Sequence, residues 1–318
     1  MASMKAVRIH NYGGREALAY EDIPLPEIGQ GEVLVRVAAS SVNPFDWAAR
    51  SGYMVDYYPY TFPLTLGLDV SGVIESAGSS TNGFRPGDVV YGRANPAKNG
   101  AYAEYISIPA SQIAHKPQSL DLQQAASVPH VATSAWRALV DAANLSAGQT
   151  VLIHGAAGGV GTFAVQLAKT RGARVIGTAS TSNQDYLRSL GVDQAIDYKT
   201  TRFEDVVHDV DLVLDLVGDM GDGTQQRSWQ VLKPGGMLVS LVQFPPPDVA
   251  AQHGVKSAMV SADVCDTQIL TEIGQLIDSG KIHTFVSSVH PLADISEAHA
   301  HSESRHVRGK IVLQVADL

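Results

Sequence analysis

The chain has 318 residues, of which 45% are hydrophobic and 17% charged, and this balance excludes a disordered or low-complexity protein. The formal net charge of −9, with no run of Lys and Arg, argues against a nucleic-acid or anionic-membrane surface. The single cysteine, Cys265, excludes internal disulfides and thiolate zinc clusters. We therefore expect a globular protein with room for two domains and a small molecule as its partner.

The N-terminal segment bears on cellular location. Met1–His10 alternates like a strand and lacks the charged start and long apolar stretch of a signal peptide. No apolar run approaches the roughly 20 residues that a helix needs to cross a bilayer. We therefore expect a cytoplasmic protein without membrane contact. Because Met4 follows Met1-Ala2-Ser3, the sequence leaves open whether those three residues are native.

Residues 1–122 show short β segments separated by Gly and Pro, a pattern typical of a small β-rich barrel. In Glu32–Val37, polar and apolar side chains alternate, as expected of a strand with one face on a core. The predicted strands are Lys5–Ile9, Val33–Ser41, Gly72–Ser76, Asp88–Tyr91 and Tyr102–Ser107.

Residues 123–270 change to alternating β and α patterns, which predict a doubly wound parallel sheet with a ligand crevice at its switch point. Residues 271–318 are assigned back to the first domain, after a helical run from about Thr267 to Ser279 and with strands at Thr284–Ser287 and Lys310–Val315. The six predicted strands of the parallel sheet are Val151–His154, Val175–Thr178, Ala195–Tyr198, Leu212–Val217, Met237–Leu241 and Val255–Val260.

A glycine-rich turn, Gly155–Gly161, joins the first of these strands directly to an amphipathic helix. A phosphate pair can approach the backbone only where no Cβ intrudes, and the helix N-terminus supplies free N–H groups and a positive dipole. The turn therefore predicts a nicotinamide dinucleotide site, with an ordinary strand-to-helix turn as the alternative. His154 remains open between a packed and a catalytic residue. The predicted contacts on the turn are Ala156, Ala157, Gly158, Gly159, Val160 and Gly161.

The end of the next predicted strand bears on the choice between NADPH and NADH. An NAD enzyme usually places a carboxylate against the ribose 2′-hydroxyl about 20 residues beyond the turn. Here the region contains Ser180 and Thr181, and no acid occurs before Asp185. Hydroxyls can donate hydrogen bonds to a 2′-phosphate, whereas a carboxylate repels it, so we predict NADPH with Ser180 and Thr181 among its contacts. Arg188 and Lys199 are the nearest cationic candidates, or simply solvated charges.

Further motifs match the pattern of a known family. They are Ser41–Asp46, Gly67–Val73, Gly83–Val90, Leu232–Gly236 and Gly309–Val312. Together with the glycine turn after a β-rich domain, they make nearly all of the chain resemble the medium-chain dehydrogenase/reductase superfamily, specifically its zinc-free, zeta-crystallin-like quinone oxidoreductase branch. The resemblance implies an α/β fold with a Rossmann sheet, a GroES-like substrate domain and an active cleft between the two.

The resemblance also implies a reaction without a metal. Zinc-dependent members put a Cys where this chain has Asn43–Asp46 and a His-containing pair near Gly67–Asp69, and their four-cysteine lobe would fall around Gly92–Gly100. Asp46 and Asp69 alone cannot supply the three or four ligands of zinc. The remaining histidine group is His299, His301 and His306, whose i, i+2 spacing favours a solvated polar turn over a metal site.

Two residues carried over from the family are candidates for catalysis. Asn43 matches an asparagine near the nicotinamide, where its amide would orient a carbonyl substrate, or it is only a turn residue before Pro44. Tyr53 lies near the family's cleft tyrosine, one residue out of register, so its phenol would stabilise an oxyanion, donate a proton or form a wall. Relatives that act on alkenals often carry Lys where Ala48 stands.

The resemblance assigns further positions around the nicotinamide and ribose. His130 stands where the family has an apolar residue, so its imidazole either faces the cleft or is packed in the interior. The family also implies a homodimer that pairs sixth strands near Val255–Val260, where an unpaired apolar edge would be a liability. The additional cofactor contacts are Ser134, Tyr198, Val217 and Leu241.

The leading functional hypothesis is NADPH-dependent hydride transfer to a quinone or to a C=C bond conjugated to a carbonyl. Without zinc to polarise an isolated ketone, the substrate should itself delocalise charge. One alternative reduces a simple aldehyde or ketone with a tyrosine as proton donor. Another is a catalytically weak NADPH-binding sensor or structural protein. A methyltransferase on the same sheet is a third.

Overall fold

The computed structural model describes residues 3–219, 222–261 and 265–318 of the protein. Met1 and Ala2, for which the sequence leaves open whether they are native, lie outside these ranges. The chain divides into two compact units. The first comprises residues 1–130, 263–280 and 284–318, and the second comprises residues 131–262 and 281–283.

The elements are numbered in chain order. The strands are β1 Ser3–Ile9, β2 Ala19–Pro24, β3 Glu32–Val42, β4 Leu64–Thr65, β5 Asp69–Ala77, β6 Val89–Arg93, β7 Tyr105–Pro109, β8 Ile113–His115, β9 Thr150–Ile153, β10 Arg174–Ala179, β11 Gln194–Asp197, β12 Val210–Asp215, β13 Leu232–Ser240, β14 Lys256–Met259, β15 Val286–Pro291 and β16 Lys310–Gln314. The α-helices are α1 Pro44–Arg50, α2 Leu122–Ala126, α3 Pro129–Trp136, α4 Gly159–Thr170, α5 Gln184–Ser189, α6 Thr224–Ser228, α7 Pro247–Gln252, α8 Thr267–Asp278 and α9 Ile295–Glu303.

The first unit is built on β-sheets, as the short apolar segments predict. Its main sheet runs β15-β16-β3-β5-β6-β8, with β7 also paired to β3, and a smaller sheet runs β2-β1-β4. The alternation in β3 places Val33, Val35 and Val37 on the core, where all three are fully buried. Strand β16 pairs antiparallel with β3, so the last strand completes the middle of the sheet.

The second unit contains the predicted six-stranded parallel sheet, in the order β11-β10-β9-β12-β13-β14. The order reverses between β9 and β12, which is the switch point where doubly wound sheets bind ligands. Helix α4 follows β9, and of the face that the i, i+3, i+4 spacing predicts it buries Phe163, Ala164, Leu167 and Ala168, whereas Val160 is half-buried. The helix also buries residues 161, 162, 165 and 166, so it is covered on more than the predicted face. The predicted fold class, a Rossmann sheet plus a GroES-like β-rich domain, is confirmed.

No helix in the described ranges combines the length and the apolar character needed to span a bilayer.

The predicted solvated polar turn near the C-terminus is wrong for His299 and His301, which lie on α9. His299 is fully buried, with Nδ1 3.0 Å from the guanidinium of Arg50 and its ring edge-on to Tyr102. Burial and then the charge of Arg50 lower the pKa of His299 to about 3. The segment contains few apolar residues, so its pattern concealed the buried face, whereas His306 is exposed beyond the helix.

Candidate functional site

The glycine turn of the second unit leaves β9 and enters α4 through Gly158, the N-cap of the helix. A Cβ on Gly161 would lie 2.4 Å from the carbonyl oxygen of Gly155 and 2.6 Å from the backbone of Ala156, so no other residue fits there. Gly155 itself has φ +69°, a conformation that favours glycine. A Cβ on Gly158 would meet only the Gly155 oxygen, at 3.4 Å, so one side of the turn is open.

The first turn of α4 can bind an anion. The N–H groups of Gly159, Val160 and Gly161 have no intrahelical acceptor, because the residues four positions earlier precede the helix. Gly158 has no side chain with which to cap them. These N–H groups and the positive end of the helix dipole suit a pyrophosphate, so the residues of the turn fit a dinucleotide. Ala156 and Ala157 are buried beneath the turn.

Four predicted cofactor contacts follow the carboxyl ends of parallel strands, and therefore share one edge of the sheet with the glycine turn. Ser180 follows β10, Tyr198 follows β11, Val217 follows β12 and Leu241 follows β13. Ser134, by contrast, is buried on α3. The strand order brings the loops after β9 and β12 side by side at the switch point.

The edge beyond β10 presents hydroxyl and amide groups. Ser180 Oγ accepts a hydrogen bond from Asn183 Nδ2 at 3.1 Å, and exposed Thr181 begins a single 3₁₀ turn. The first acid, Asp185, pairs with Arg188 at 2.5 Å. The hydroxyl and amide groups of this surface can donate to a ribose 2′-phosphate. The surface lacks the carboxylate, between Ser180 and Gln184, that would accept from a ribose 2′-hydroxyl.

His154 is a packed residue of the sheet. Its Nδ1 lies 3.2 Å from Thr178 Oγ1, and its Nε2 lies 3.0 Å from Ser228 Oγ. Because Ser228 donates its own proton to the carbonyl of Thr224, we assign the imidazole proton to Nε2. Burial lowers the pKa of His154 to about 4, so the ring is neutral.

A buried cluster in the first unit, the Asn43–Asp69–Lys310 cluster, holds the candidate catalytic amide. Asn43 Nδ2 donates to Asp69 Oδ2 at 2.9 Å, and Lys310 Nζ donates to Asn43 Oδ1. Lys310 Nζ also donates to the carbonyl of Val42 at 3.1 Å and lies 3.4 Å from Asp69 Oδ2. The Asn43 amide is therefore fixed from both ends.

The cluster is a desolvated ion pair surrounded by donors. Burial alone would raise the pKa of Asp69, but Lys310 and hydrogen bonds from Asn43 and Ser41 outweigh it and leave the pKa below its ordinary value. Burial lowers the pKa of Lys310 against the opposing attraction of Asp69. The backbone N–H of His130 donates to Asp69 Oδ1 at 2.6 Å. We infer that both members are ionised and mutually dependent.

His130 is held inside the first unit. Arg93 Nε donates to His130 Nδ1 at 3.0 Å, so this nitrogen is the acceptor and carries no proton. Burial, followed by the charge of Arg93, lowers the pKa of His130 to about 3. The imidazole is therefore neutral and is poorly suited to act as an acid near neutral pH.

The residues present do not fit a zinc ion at the position of the cluster. Within residues 3–219, 222–261 and 265–318, no three His, Cys, Asp or Glu side chains come together as a metal site. Asn43 and Asp69 stand where zinc-dependent members carry ligands, and their oxygens already accept from the Lys310 ammonium. A second cation at Asp69 would be repelled by Lys310.

Two of the tyrosines that follow α1, Tyr53 and Tyr60, differ in environment. Tyr53 is 74% exposed, whereas the Tyr60 hydroxyl is shielded and has no hydrogen-bond partner in the part of the chain that is described. Tyr60 lines a small cavity with Phe45, Leu68 and Asp46. Burial raises the pKa of Asp46 to about 7, although Asn43 N–H and the Tyr102 hydroxyl both donate to its carboxylate. Tyr60 and Asp46 therefore offer a proton donor and a titratable carboxyl. The sequence did not single out Tyr60, and it indicated Asp46 only as an insufficient zinc ligand.

The sequence contained weak signals for the residues that it missed. Lys310 opens β16, where three apolar residues follow it, and Asp69 opens β5, where it lies beside the buried Val70. A charge at such a position needs a buried partner, but nothing in the sequence says that these two, 241 residues apart, are partners.

Three neutral histidines, of which His154 and His299 are buried and His130 is partly buried, predict that the fold loses stability in acid. His130, His154 and His299 have pKa values of about 3, 4 and 3, whereas an unfolded chain takes up their protons near pH 6.5. Stability should therefore fall as pH drops from about 6.5 to 4, by up to about 1.4 kcal/mol per pH unit for each histidine. Asp46 opposes this, because a raised pKa favours the folded state at low pH.

Urea midpoints measured from pH 7 to pH 4 check this expectation. The His154→Gln variant, which keeps a donor and an acceptor, should show a shallower decline, and the Asp46→Asn variant a steeper one. His208→Gln, a change at an exposed histidine, serves as the control and should leave the slope unchanged. A decline identical in all four proteins would contradict the assignment.

Comparison with known families gives two matches. Residues 29–118 match the family described as Alcohol dehydrogenase GroES-like domain, and residues 190–313 match the family described as Zinc-binding dehydrogenase. The first lies within the β-rich unit, and the second includes parallel strands of the other unit and the C-terminal return.

Curated relatives and solved structures align over nearly the whole chain. The human mitochondrial NAD(P)H oxidoreductase RTN4IP1 is 34% identical, with 98% of this chain and 89% of that protein covered. An Arabidopsis thaliana chloroplastic NADPH-dependent alkenal/one oxidoreductase is 34% identical, with 98% of this chain and 79% of that protein covered. The structure of a quinone oxidoreductase from Coxiella burnetii superposes with a TM-score of 0.91 at 34% identity, covering 99% of this chain and 100% of that one.

Proposed function

Because the chain belongs to the medium-chain dehydrogenase/reductase superfamily, we propose that it transfers hydride from NADPH to a quinone or to a C=C bond conjugated to a carbonyl, without zinc. The broader activity is that of an NAD(P)H oxidoreductase, in keeping with the names of its relatives. The observation that carries the proposal is the open glycine turn at the switch point of the parallel sheet.

NADPH, when bound, supplies the hydride. The first-turn N–H groups at Gly159, Val160 and Gly161 would hold its pyrophosphate, and Ser180 and Thr181 its 2′-phosphate, with Tyr198 beside them. Val217, Leu241 and Ser134 would flank the ribose and nicotinamide. The absence of a carboxylate between Ser180 and Gln184 supports NADPH over NADH.

The chemistry of the Asn43–Asp69–Lys310 cluster supports the proposed substrate class. Lys310 donates to Asn43 Oδ1 and so polarises the amide. One Nδ2 hydrogen faces Asp69, and we assign the second to the substrate oxygen, which requires a substrate that reaches the fully buried Asn43. A single amide donor polarises a carbonyl far less than a metal does, so the substrate must delocalise the charge itself, as a quinone or enone does. Tyr53 or Tyr60 would donate a hydrogen bond or the proton.

The test is NADPH oxidation by 1,4-naphthoquinone and by an enone, after dialysis of the full chain against a chelator. Turnover of at least one substrate, unchanged by the chelator, is expected. Turnover of simple aldehydes or ketones alone would favour the ketone reductase. Tight NADPH binding without turnover of any substrate would favour the weakly catalytic binding protein. No detectable NADPH binding would overturn the proposal.

Cofactor choice is testable by introducing the missing carboxylate. In Ser180→Asp, the new charge should repel the 2′-phosphate and accept from a ribose 2′-hydroxyl, so affinity for NADPH should fall roughly tenfold or more while NADH binding holds or improves. Fluorescence titration with both cofactors measures the ratio. Ser189→Asp makes the same charge change at an exposed site on α5 and should preserve the ratio. An unchanged ratio in Ser180→Asp would place the 2′-position elsewhere.

The expected homodimer and location stay part of the proposal. Strand β14 is an edge of the six-stranded sheet and carries Met259, a 42% exposed apolar side chain. Pairing with a second copy would cover that edge, and mass measurement in solution tests it. Cell fractionation tests the cytoplasmic location, since two of the relatives are mitochondrial and chloroplastic by name.

A further inference from the structure

Asp215, the last residue of β12, is a fully buried carboxylate with four hydrogen-bond donors around it. Its Oδ1 accepts from the backbone N–H groups of Val217 and Gly218, at 3.0 Å and 2.8 Å. Its Oδ2 accepts from Gln225 Nε2 and from Ser240 Oγ, both at 3.0 Å. Among the residues that the structure describes, the four donors to this carboxylate are all neutral.

These bonds join the loop after β12 to the loop after β13. Ser240, the last residue of β13, accepts from the backbone N–H groups of Val242 and Gln243 at 3.3 Å and 3.2 Å. The N–H of Leu241 donates to the Asp215 carbonyl at 3.2 Å. Gln225 Nε2 donates also to the carbonyl of Gln243 at 3.2 Å. One carboxylate thus links the two loops to each other and to α6.

A second pair of hydrogen bonds lies farther along the same two loops. The side-chain oxygen of Gln243 accepts from the N–H of Asp219 at 2.7 Å, and Asp219 Oδ1 accepts from the N–H of Gln225 at 2.6 Å. Hydrogen bonds therefore join the two loops both at their bases and at their tips. Val217 and Leu241, both proposed cofactor contacts, lie between these two links.

We propose that Asp215 is a positioning residue for the cofactor, whose carboxylate sets the loops at Val217 and Leu241 in the conformation that receives the nicotinamide half of NADPH. The inference rests on the proposed function. The side chain at position 215 has to be short and has to carry an acceptor. Gly218 has φ +67°, so its N–H points back toward the end of β12, where it donates to the buried Asp215 Oδ1. Asp215 need not touch the cofactor.

The test is a series of single substitutions in the full chain, with NADPH titrated by fluorescence. Asp215→Ala removes all four bonds and should weaken NADPH binding roughly tenfold or more. Asp215→Asn keeps a carbonyl oxygen for the N–H groups of Val217 and Gly218 but presents a donor to Gln225 and Ser240, so it should fall between wild type and Asp215→Ala. Ser240→Ala removes one donor to Asp215 and also the acceptor of the Val242 and Gln243 N–H groups, so it loosens the same link from the β13 side and should weaken binding about threefold.

A matched control separates positioning from general stability. Asp211→Ala lies on the same strand at its opposite end, where Asp211 accepts from the N–H of Thr150 at 2.8 Å and pairs with Lys233. It should lower the melting temperature without changing NADPH affinity. Hydrogen exchange at Val217 and Gly218 should accelerate in Asp215→Ala and slow again when NADPH is added, whereas Asp211→Ala should leave it unchanged.

The outcomes divide cleanly. A folded Asp215→Ala that binds NADPH as wild type does, or an Asp211→Ala that loses as much affinity, overturns the inference. If Asp215→Ala does not fold, Asp215→Asn and Ser240→Ala decide it by the same titration. Wild-type protein that fails to bind NADPH would remove the proposed function and this inference together, whereas wild-type binding with unaffected variants removes this inference alone.

Discussion

Gly161→Ala should abolish most of the NADPH affinity of the protein and lower its stability. The added Cβ would lie 2.4 Å from the Gly155 oxygen, closer than any packed structure allows, so β9 and α4 must separate. Overpacking of this kind costs about 1–3 kcal/mol, and it moves the first-turn N–H groups away from the pyrophosphate. We expect NADPH affinity to fall roughly 100-fold, with a lower thermal midpoint.

Gly274→Ala provides the matched control for this change. Gly274 lies within α8 of the first unit, and a Cβ there meets its nearest atoms at ordinary contact distances of 3.4 Å and 3.5 Å. The same substitution should leave NADPH affinity intact and raise stability by up to about 1 kcal/mol, because alanine favours the helix. Gly161→Ala protein that binds NADPH normally would show that the turn does not hold the cofactor.

Lys310→Met should produce the largest loss of stability of any single change at the candidate site. It removes the ammonium that offsets the buried Asp69 carboxylate and leaves Asn43 Oδ1 without its donor. Removing one partner of a buried pair costs about 3–5 kcal/mol, since the remaining charge stays desolvated. Urea unfolding should show this loss, and reduction of quinone should fall with it because the Asn43 amide is released.

The double variant Lys310→Met with Asp69→Asn tests the origin of that loss. Neutralising both partners should restore most of the stability, but not the activity, since the amide still lacks the Lys310 donor. Lys233→Met is the control: Lys233 pairs with Asp211 at a half-exposed site, and its loss should cost about 1 kcal/mol or less. Equal costs for Lys310→Met and Lys233→Met would show that the buried pair contributes no special stability.

Much of the architecture was predictable, because it depends on patterns that are local in the chain. The alternation in Glu32–Val37 and the helical spacing after Gly155 each follow from one face packing on a core. Boundaries moved by a few residues: the strand predicted at Thr284–Ser287 runs from Val286 to Pro291, and that at Tyr102–Ser107 begins at Tyr105. The first and last residues of a strand depend on the backbone conformation of the residues that flank it, and the spacing of apolar residues does not predict that conformation.

The contacts that organise the candidate site were not predictable, because each joins residues distant in the chain. Asn43 was singled out by family resemblance, but its fixing by Asp69 and Lys310 appears only once β3, β5 and β16 are paired. An acidic residue at the end of a strand, such as Asp215, is common and is not informative by itself. Its hydrogen-bond donors become apparent only when the end of β13 lies beside it. His299 looked solvated because the helix that buries it carries few apolar neighbours.

The pairing of β16 with β3 has a consequence for biosynthesis. Their residues meet across 267 positions, at Lys310 and Asn43, so a ribosome delivers one side of the first unit long before the other. Until residues 310–314 emerge, the Ala39–Val42 part of one edge of β3 is unpaired, although β7 already covers Glu32–Arg36 on that edge, and Asp69 lacks the Lys310 ammonium. The six parallel strands lie between them in the chain and are complete by residue 259. The unit whose strands are translated first is therefore completed last, and the six-stranded parallel sheet can form before the last strands of the β-rich unit have been made.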